Sequence, residues 1–403
     1  MLLRTSSIYS SLGRTIPTSA KTLLQDDKLN IINTAFINSA SRRLSATAKM
    51  LIPSSTSMAS KPRVILGTMT FGPPGTEDKG SRVTDLKEYN ACLDALSSHG
   101  YLELDTARVY VGGQQEAFTK SADYASKGFS IATKCYPHTP GLHSPEKLRS
   151  TLEKSLEQLG TKCVDIFYLH APDRSVPFEQ TLKTCDDMFK EGKFVTLGLS
   201  NYAAWEVAEI CQMCRERKWV QPKIYQAMYN CITRAMETEL VPCCRRYGLG
   251  EFWDKMRQFM LIFFIDIVVY NPLAGGILSG KYTTMDTPDE GRFSATNASQ
   301  GAMYRERYFR PSFLKALEMI EPAAKQHQLS LIEIALRWLV HHSKLNMDKS
   351  KGGNDGVILG VSSLKQLEGN IEALEKGALP EELLKVIDQA WEVVGGSCPS
   401  YWR

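Results

Sequence analysis

The sequence holds no stretch of about eighteen apolar residues, so neither a membrane-spanning helix nor a membrane partner is expected. Paired metal motifs are missing as well. The ten cysteines include one Cys211-x2-Cys214 pair and an adjacent Cys243-Cys244, with no second pair or histidine at zinc-ligand spacing. No metal is expected, and buried reduced thiols of a cytoplasmic protein are the simpler reading. A strong charge of one sign is absent from the body of the chain. Residues 1–60 carry seven Lys/Arg against Asp26 and Asp27, while the remainder carries 41 basic against 42 acidic side chains. A near-neutral body offers no field for nucleic acid, so no nucleic-acid partner is expected.

Two nucleotide-loop signatures also fail. The first loop, Gly72-Pro73-Pro74-Gly75, has prolines where a dinucleotide fold needs backbone donors. Gly275-Gly276-Ile277-Leu278-Ser279-Gly280-Lys281 has phosphate-loop spacing, but Tyr282 stands where a hydroxyl must hold magnesium. The Rossmann route to a dinucleotide is thereby closed, and the second loop argues against an NTPase. A glycine-lined, Lys-bearing loop remains a good seat for a phosphate.

What is present is a repeated strand–loop–helix unit from residue 63 onward. Strands are expected at Val64–Met69, Tyr101–Thr106, Ser130–Lys134, Val164–His170, Val195–Ser200, Ile224–Tyr229, Ile267–Tyr270 and Val357–Gly360. Helical stretches such as Ser144–Leu159, with Pro145 in its first turn, and Leu331–His341 fall between them. Eight such units imply an α/β fold, a closed (β/α)8 TIM barrel over residues 61–403. Residues 1–60 form an N-terminal extension rich in Ser, Thr and Arg. It reads equally as a mitochondrial presequence processed near Arg42-Arg43-Leu44-Ser45, as a disordered tail, or as sequence upstream of a true start at Met50 or Met58.

In a barrel the chemistry sits at the C-terminal ends of the strands. Reading those ends in order finds Asp105, Lys134 and His170, with Tyr110 five residues beyond Asp105. One such residue alone is more often a cap or a satisfied core group. Three ionisable residues ending three consecutive strands are costly to bury unless they pair. The set is chemically coherent. Lys134 can lower the phenol of Tyr110 toward useful acidity, Asp105 can keep Lys134 charged, and His170 can orient a substrate oxygen.

The motifs Gly67-Thr68-Met69-Thr70-Phe71-Gly72, Leu104-Asp105-Thr106-Ala107-x-x-Tyr110, Ala132-Thr133-Lys134, Tyr168-Leu169-His170-Ala171-Pro172-Asp173 and Gly198-Leu199-Ser200-Asn201 resemble those of the aldo-keto reductases. Tyr270-Asn271-Pro272-Leu273-Ala274-Gly275-Gly276, Gly360-Val361-Ser362-Ser363-x-x-Gln366-Leu367 and the terminal Cys398-Pro399-x-Tyr401-Trp402-Arg403 resemble the aflatoxin-aldehyde reductase branch. The resemblance covers roughly residues 62–403. It implies NADPH as cofactor and a tetrad of Asp105, Tyr110, Lys134 and His170, with Tyr110 the proton donor to an aldehyde. It further implies cofactor contacts from Met69, Asp105, Ser200, Asn201 and Gln226 near the nicotinamide, with Tyr270 stacked on the ring. Leu273, Gly275 and Lys281 would line the pyrophosphate, and Ser362, Gln366, Asn370 and Arg292 the adenosine end. Lys281 and Arg292 are the cations that could favour NADPH over NADH. Arg292 lies in Thr283–Arg310, read as a long polar loop serving the site. Arg403 resembles an anchor for acidic aldehydes such as succinic semialdehyde, so Tyr110, His170 and Arg403 are the expected substrate contacts. A second copy of the chain, as a homodimer, is the protein partner implied.

One segment departs from that pattern. Gly250–Ile265, GEFWDKMRQFMLIFFI, intervenes where a helix ending near Gly248 should run straight into the seventh strand. It reads as a retained intron, a buried extra helix or a docking element; the first is favoured because the segment serves neither pattern nor site. Two rival functions compete with reduction: a regulatory, channel β-subunit-like NADPH-binding protein with weak catalysis, and a Schiff-base lyase using Lys134. His170 beside the other three groups argues against the first. Asp105, which keeps the Lys134 amine charged, argues against the second.

Overall fold

The computed structural model describes residues 61–248, 265–289, 291–295 and 300–403. The N-terminal extension lies outside them, as does all of the departing segment except Ile265. Eight parallel strands close into a barrel in sequence order. They are β1 (Arg63–Gly67), β2 (Glu103–Asp105), β3 (Ser130–Cys135), β4 (Val164–Leu169), β5 (Phe194–Ser200), β6 (Pro222–Met228), β7 (Asp266–Tyr270) and β8 (Gly356–Gly360). Every expected strand is present, displaced by at most two residues at either end.

Alternation along these strands sorts the core into two layers. Ile65, Ala132, Tyr168, Ile224, Val268 and Ile358 point inward and fill the barrel. Their neighbours, such as Val64, Leu66, Val357 and Leu359, point outward against the helices. Gly198 is required by this packing: a Cβ there would lie 2.3 Å from the ring of Tyr168.

The outer ring comprises α1 (Leu86–Ser98), α2 (Gln115–Ser121), α3 (Pro145–Leu159), α4 (Phe178–Lys190), α5 (Ala204–Arg217), α6 (Leu240–Gly248), α7 (Gly301–Tyr308), α8 (Pro311–Gln326), α9 (Leu331–His341), α10 (Leu364–Glu375) and α11 (Glu381–Val394). Helix α3 starts at Pro145, where a missing N–H costs nothing, and stops at Gly160 in the left-handed region (φ 69°). Helix α9 matches the expected span, with the Ser330 hydroxyl accepting from Glu333 N at 3.1 Å.

The reading of Thr283–Arg310 as loop throughout is corrected by α7. Tyr304 and Tyr308, one turn apart, are buried there, and the Arg305 guanidinium donates to the carbonyls of Phe293 (2.6 Å) and Ser294 (3.0 Å). Seven cysteines are buried and three partly exposed, and all ten are unpaired. Among the described residues no helix is long and apolar enough to cross a membrane.

Candidate active site

The strand registers bring the sequence-expected groups to one mouth. Gly67 pairs with Asp105, Asp105 with Ala132, and Lys134 with Tyr168, so β2, β3 and β4 end side by side. Asp105 and Lys134 are buried and close on each other, Lys134 Nζ donating to Asp105 Oδ2 at 2.5 Å. The same ammonium donates to Thr106 O at 2.7 Å and to the phenolic oxygen of Tyr110 at 3.1 Å. Its three protons are thus all used, which leaves no lone pair for Schiff-base chemistry. Burial lowers the Lys134 ammonium from its ordinary value, and Asp105 opposes that shift.

The expected direction for Tyr110 is reversed. Burial pushes its phenol well above the ordinary value, and the Asp105 carboxylate pushes it further. Arg403 pulls the other way. The phenol is therefore the protonated species throughout the neutral range. Sequence proximity to an ammonium gave the right neighbour but omitted the larger cost of desolvating a phenolate.

His170 lies across from Tyr110, ring centroids 6.0 Å apart and edge to face, and 5.3 Å from the ring of Tyr136. Burial drops its imidazole well below the ordinary value, with the Lys134 and Arg403 charges adding to the effect. It is neutral at pH 7. Its buried Nδ1 has no hydrogen-bond partner, one of three such side-chain atoms among the described residues.

Beyond the tetrad, Asn201 is the hub of the mouth. It adopts a left-handed conformation (φ 62°) just after β5. Its amide donates to His170 O (2.8 Å) and Ser200 Oγ (3.0 Å), and its Oδ1 accepts from the Tyr270 hydroxyl (2.8 Å). Gln226 is turned inward, donating to Asp105 Oδ1 at 2.8 Å, so its amide nitrogen braces the tetrad. Past β7, Ala274, Gly275 and Gly276 have successive positive φ values of 49°, 69° and 115°. This turn follows Leu273 and leads to the exposed Lys281.

At the far side, Arg292 extends over the end of β8, one guanidinium nitrogen lying 4.0 Å from where a Cβ on Gly360 would be. Its guanidinium also sits 4.9 Å from the Tyr304 ring centre. Ser362 N is held by Gln366 Oε1 (2.9 Å), and Asn370 is buried on α10. Met69 is packed, partly buried, on the mouth side of β1. The Tyr270 ring, the left-handed glycine turn and the cations Lys281 and Arg292 supply the aromatic, backbone and cationic groups that suit a nicotinamide dinucleotide.

The terminal Arg403 is held at this mouth. Its backbone N donates to Asn201 O (3.0 Å) and its guanidinium to the Tyr136 hydroxyl (3.3 Å). Tyr401 anchors the tail beneath it, its hydroxyl accepting from Ala204 N (3.1 Å) and donating to Glu239. Sequence reasoning missed Arg307. This α7 side chain sits 5.8 Å from the Tyr304 ring centre, and its charge opposes the rise that burial imposes on Tyr270 and Tyr308. The only signal was a cation in a segment read as loop. Among the described residues neither Arg307 nor Arg403 is paired with a carboxylate.

Residues 63–392 match the model of the Aldo/keto reductase family. The chain belongs to that family. It is therefore a nicotinamide-dependent oxidoreductase. The aflatoxin B1 aldehyde reductase member 2 of Mus musculus is 40% identical over 357 residues, 85% of this chain and 88% of that protein. The human protein of the same name is 40% identical over 355 residues, covering 85% and 90%. An aldo-keto reductase of Monascus ruber is 34% identical over 354 residues, covering 84% and 97%.

Proposed function

We propose that this chain is an NADPH-dependent aldehyde reductase with Tyr110 as the proton donor. The observation that carries the reading is the Lys134 ammonium bridging Asp105 and the Tyr110 phenol beside a neutral His170. Ser200, Asn201 and Tyr270 would hold the nicotinamide end, with Gln226 positioned behind Asp105. Leu273, Gly275 and Lys281 would take the pyrophosphate, and Arg292, Ser362, Gln366 and Asn370 the adenosine phosphate end. Bound there, reduced nicotinamide supplies a hydride to the carbonyl carbon.

The protein groups complete the step. A neutral His170 donates from one ring nitrogen to the carbonyl oxygen and aims it at Tyr110. As negative charge builds on that oxygen, it becomes far more basic than a phenolate, so the raised phenol still gives up its proton. The Tyr110 phenolate left behind is stabilised by the Lys134 ammonium at 3.1 Å. Asp105 prevents Lys134 from losing its charge in a dry site.

Arg403, beside Tyr136 and the rings around His170, would anchor a carboxylate on the substrate. The substrates proposed are aldehydes bearing an acid group, such as succinic semialdehyde, for which Arg403 supplies the cation, and aromatic aldehydes, for which Tyr136 and its neighbours supply ring contacts. The relatives' names, with their aflatoxin-derived aldehyde, support the same class.

The test is steady-state reduction of succinic semialdehyde and 4-nitrobenzaldehyde with NADPH and NADH. Tyr110→Phe should lose at least about a hundredfold in kcat. Arg403→Ala should raise KM about tenfold for the acidic aldehyde only, one lost charge-assisted contact. Full turnover in Tyr110→Phe would overturn the mechanism. An unchanged KM in Arg403→Ala would remove the anchor.

A further inference from the structure

Tyr110 stands at the start of an unusual turn. Val111, Gly112 and Gly113 follow it with φ of 50°, 60° and 85°, three consecutive residues in the left-handed region. Glycine adopts that region freely, but a β-branched residue does not. Val111 is nonetheless buried at 2% exposure, its side chain seated where Gly72 leaves room: a Cβ on Gly72 would lie 2.7 Å from Val111 Cγ1. Something must hold this conformation against its cost.

The restraint comes from Arg108 and Glu116. One arm of the Arg108 guanidinium donates to Gly113 O, at the end of the turn. The other donates to Glu116 on α2, a carboxylate with 1% exposure. The second Glu116 oxygen accepts from the Thr133 hydroxyl at 2.6 Å, one residue before Lys134. The Arg108 backbone N donates to Lys134 O at 3.1 Å. A single side-chain pair therefore ties the turn that presents Tyr110 to the strand that presents Lys134. Gly113 must be glycine for the fork to close, because a Cβ there would lie 2.6 Å from the Arg108 guanidinium.

We propose that the Arg108–Glu116 pair is a positioning device for reduction, holding the strained Val111–Gly113 turn so that the Tyr110 hydroxyl stays within reach of the Lys134 ammonium. Neither residue is among the groups assigned above to substrate or cofactor; both act through the Tyr110–Lys134 separation. The inference rests on the reading of Tyr110 as proton donor. When the brace is loosened, the turn relaxes and the phenolate loses part of its stabilising cation. The Tyr110 titration then moves to higher pH.

The alcohol-oxidation direction reads this directly, because there Tyr110 must be deprotonated to act as base. Arg108→Lys cannot span both acceptors, and Glu116→Gln keeps the shape while removing the charge. The experiment measures kcat/KM for alcohol oxidation across pH in both variants. It adds the dissociation constant of NADPH, by fluorescence, and thermal melting.

Each variant should lose about tenfold in kcat and shift the pH profile upward by about one unit. NADPH affinity should change less than about twofold. A merely structural role would lower the folded fraction, scaling activity equally at every pH without moving the profile. Val111→Gly in the Arg108→Lys background should recover at least half of the shift, since glycine needs no brace to occupy the turn. Variant profiles superimposable on wild type, while Tyr110→Phe is inactive, overturn the brace alone. Wild-type turnover in Tyr110→Phe overturns both readings.

Discussion

The two ends of this barrel treat their charged groups differently. At the end opposite the mouth, arginine and lysine side chains meet carboxylates. Arg63 forks onto Glu103 (2.8 and 2.6 Å) and lies 3.7 Å from Asp266. Arg245 clasps Asp355, which is buried and also accepts from Ile267 N (2.7 Å) and Asn346 N (2.6 Å). Lys61, His99 and Tyr101 converge on Glu375.

The mouth is arranged otherwise. Lys134 divides its protons among three acceptors, His170 Nδ1 has no partner, and Arg307 and Arg403 face phenols rather than carboxylates. One end uses charge to close the barrel; under the proposed function the other holds it for a ligand. Incomplete pairing is costly, so its concentration at one end marks where binding energy is meant to be spent.

The contrast breaks most sharply at His170. Its Nδ1 contributes no hydrogen bond, so His170→Phe, which keeps the ring contacts with Tyr110 and Tyr136, should leave the melting temperature within about 1 °C of wild type. Aldehyde reduction should meanwhile fall by about 10²- to 10³-fold in kcat/KM, measured at saturating NADPH. A large drop in melting temperature would erase the distinction between the two ends.

The reverse pattern is expected for Arg245→Ala. Stranding the buried Asp355 should cost roughly 3 kcal/mol, or about 6 °C in melting, with kcat per folded molecule unchanged. Equal loss of turnover would show that the closed end is coupled to the chemistry.

The smallest effect concerns Asp266, which burial raises to about 6. Its native state holds the proton more tightly than the unfolded chain does. The associated stability is complete below about pH 4 and is lost as pH climbs through about 6. Asp266→Asn cannot titrate, so its melting temperature relative to wild type should increase by about 5 °C between about pH 4 and about pH 7. A difference that is flat with pH would mean that Arg63, 3.7 Å away, already compensates the carboxylate.

Much of this was legible before folding. All eight strands were, because a β-branched run between turn residues is a local pattern. So were Asp105, Lys134 and His170, because parallel strands in a barrel place their C-terminal residues together by construction. Helix α7 was not: its polar surface reads as loop until Tyr304 and Tyr308 find the aromatic floor made by Phe293 and the Gly275 turn. Nor was the bond from the Gln226 amide to Asp105, a contact across 121 residues that no local window contains.

The sequence by itself determined the barrel, the four groups at its mouth and their order on the strands, since each follows from short-range pattern and connectivity. Only the tertiary structure decided how those groups behave. The rise of the Tyr110 phenol, the neutrality of His170, the tie between Arg403 and Asn201 and the Arg108–Glu116 brace all depend on what is packed around them. Protonation and strain are sums over neighbours brought in from distant parts of the chain, and a linear pattern holds no record of that sum.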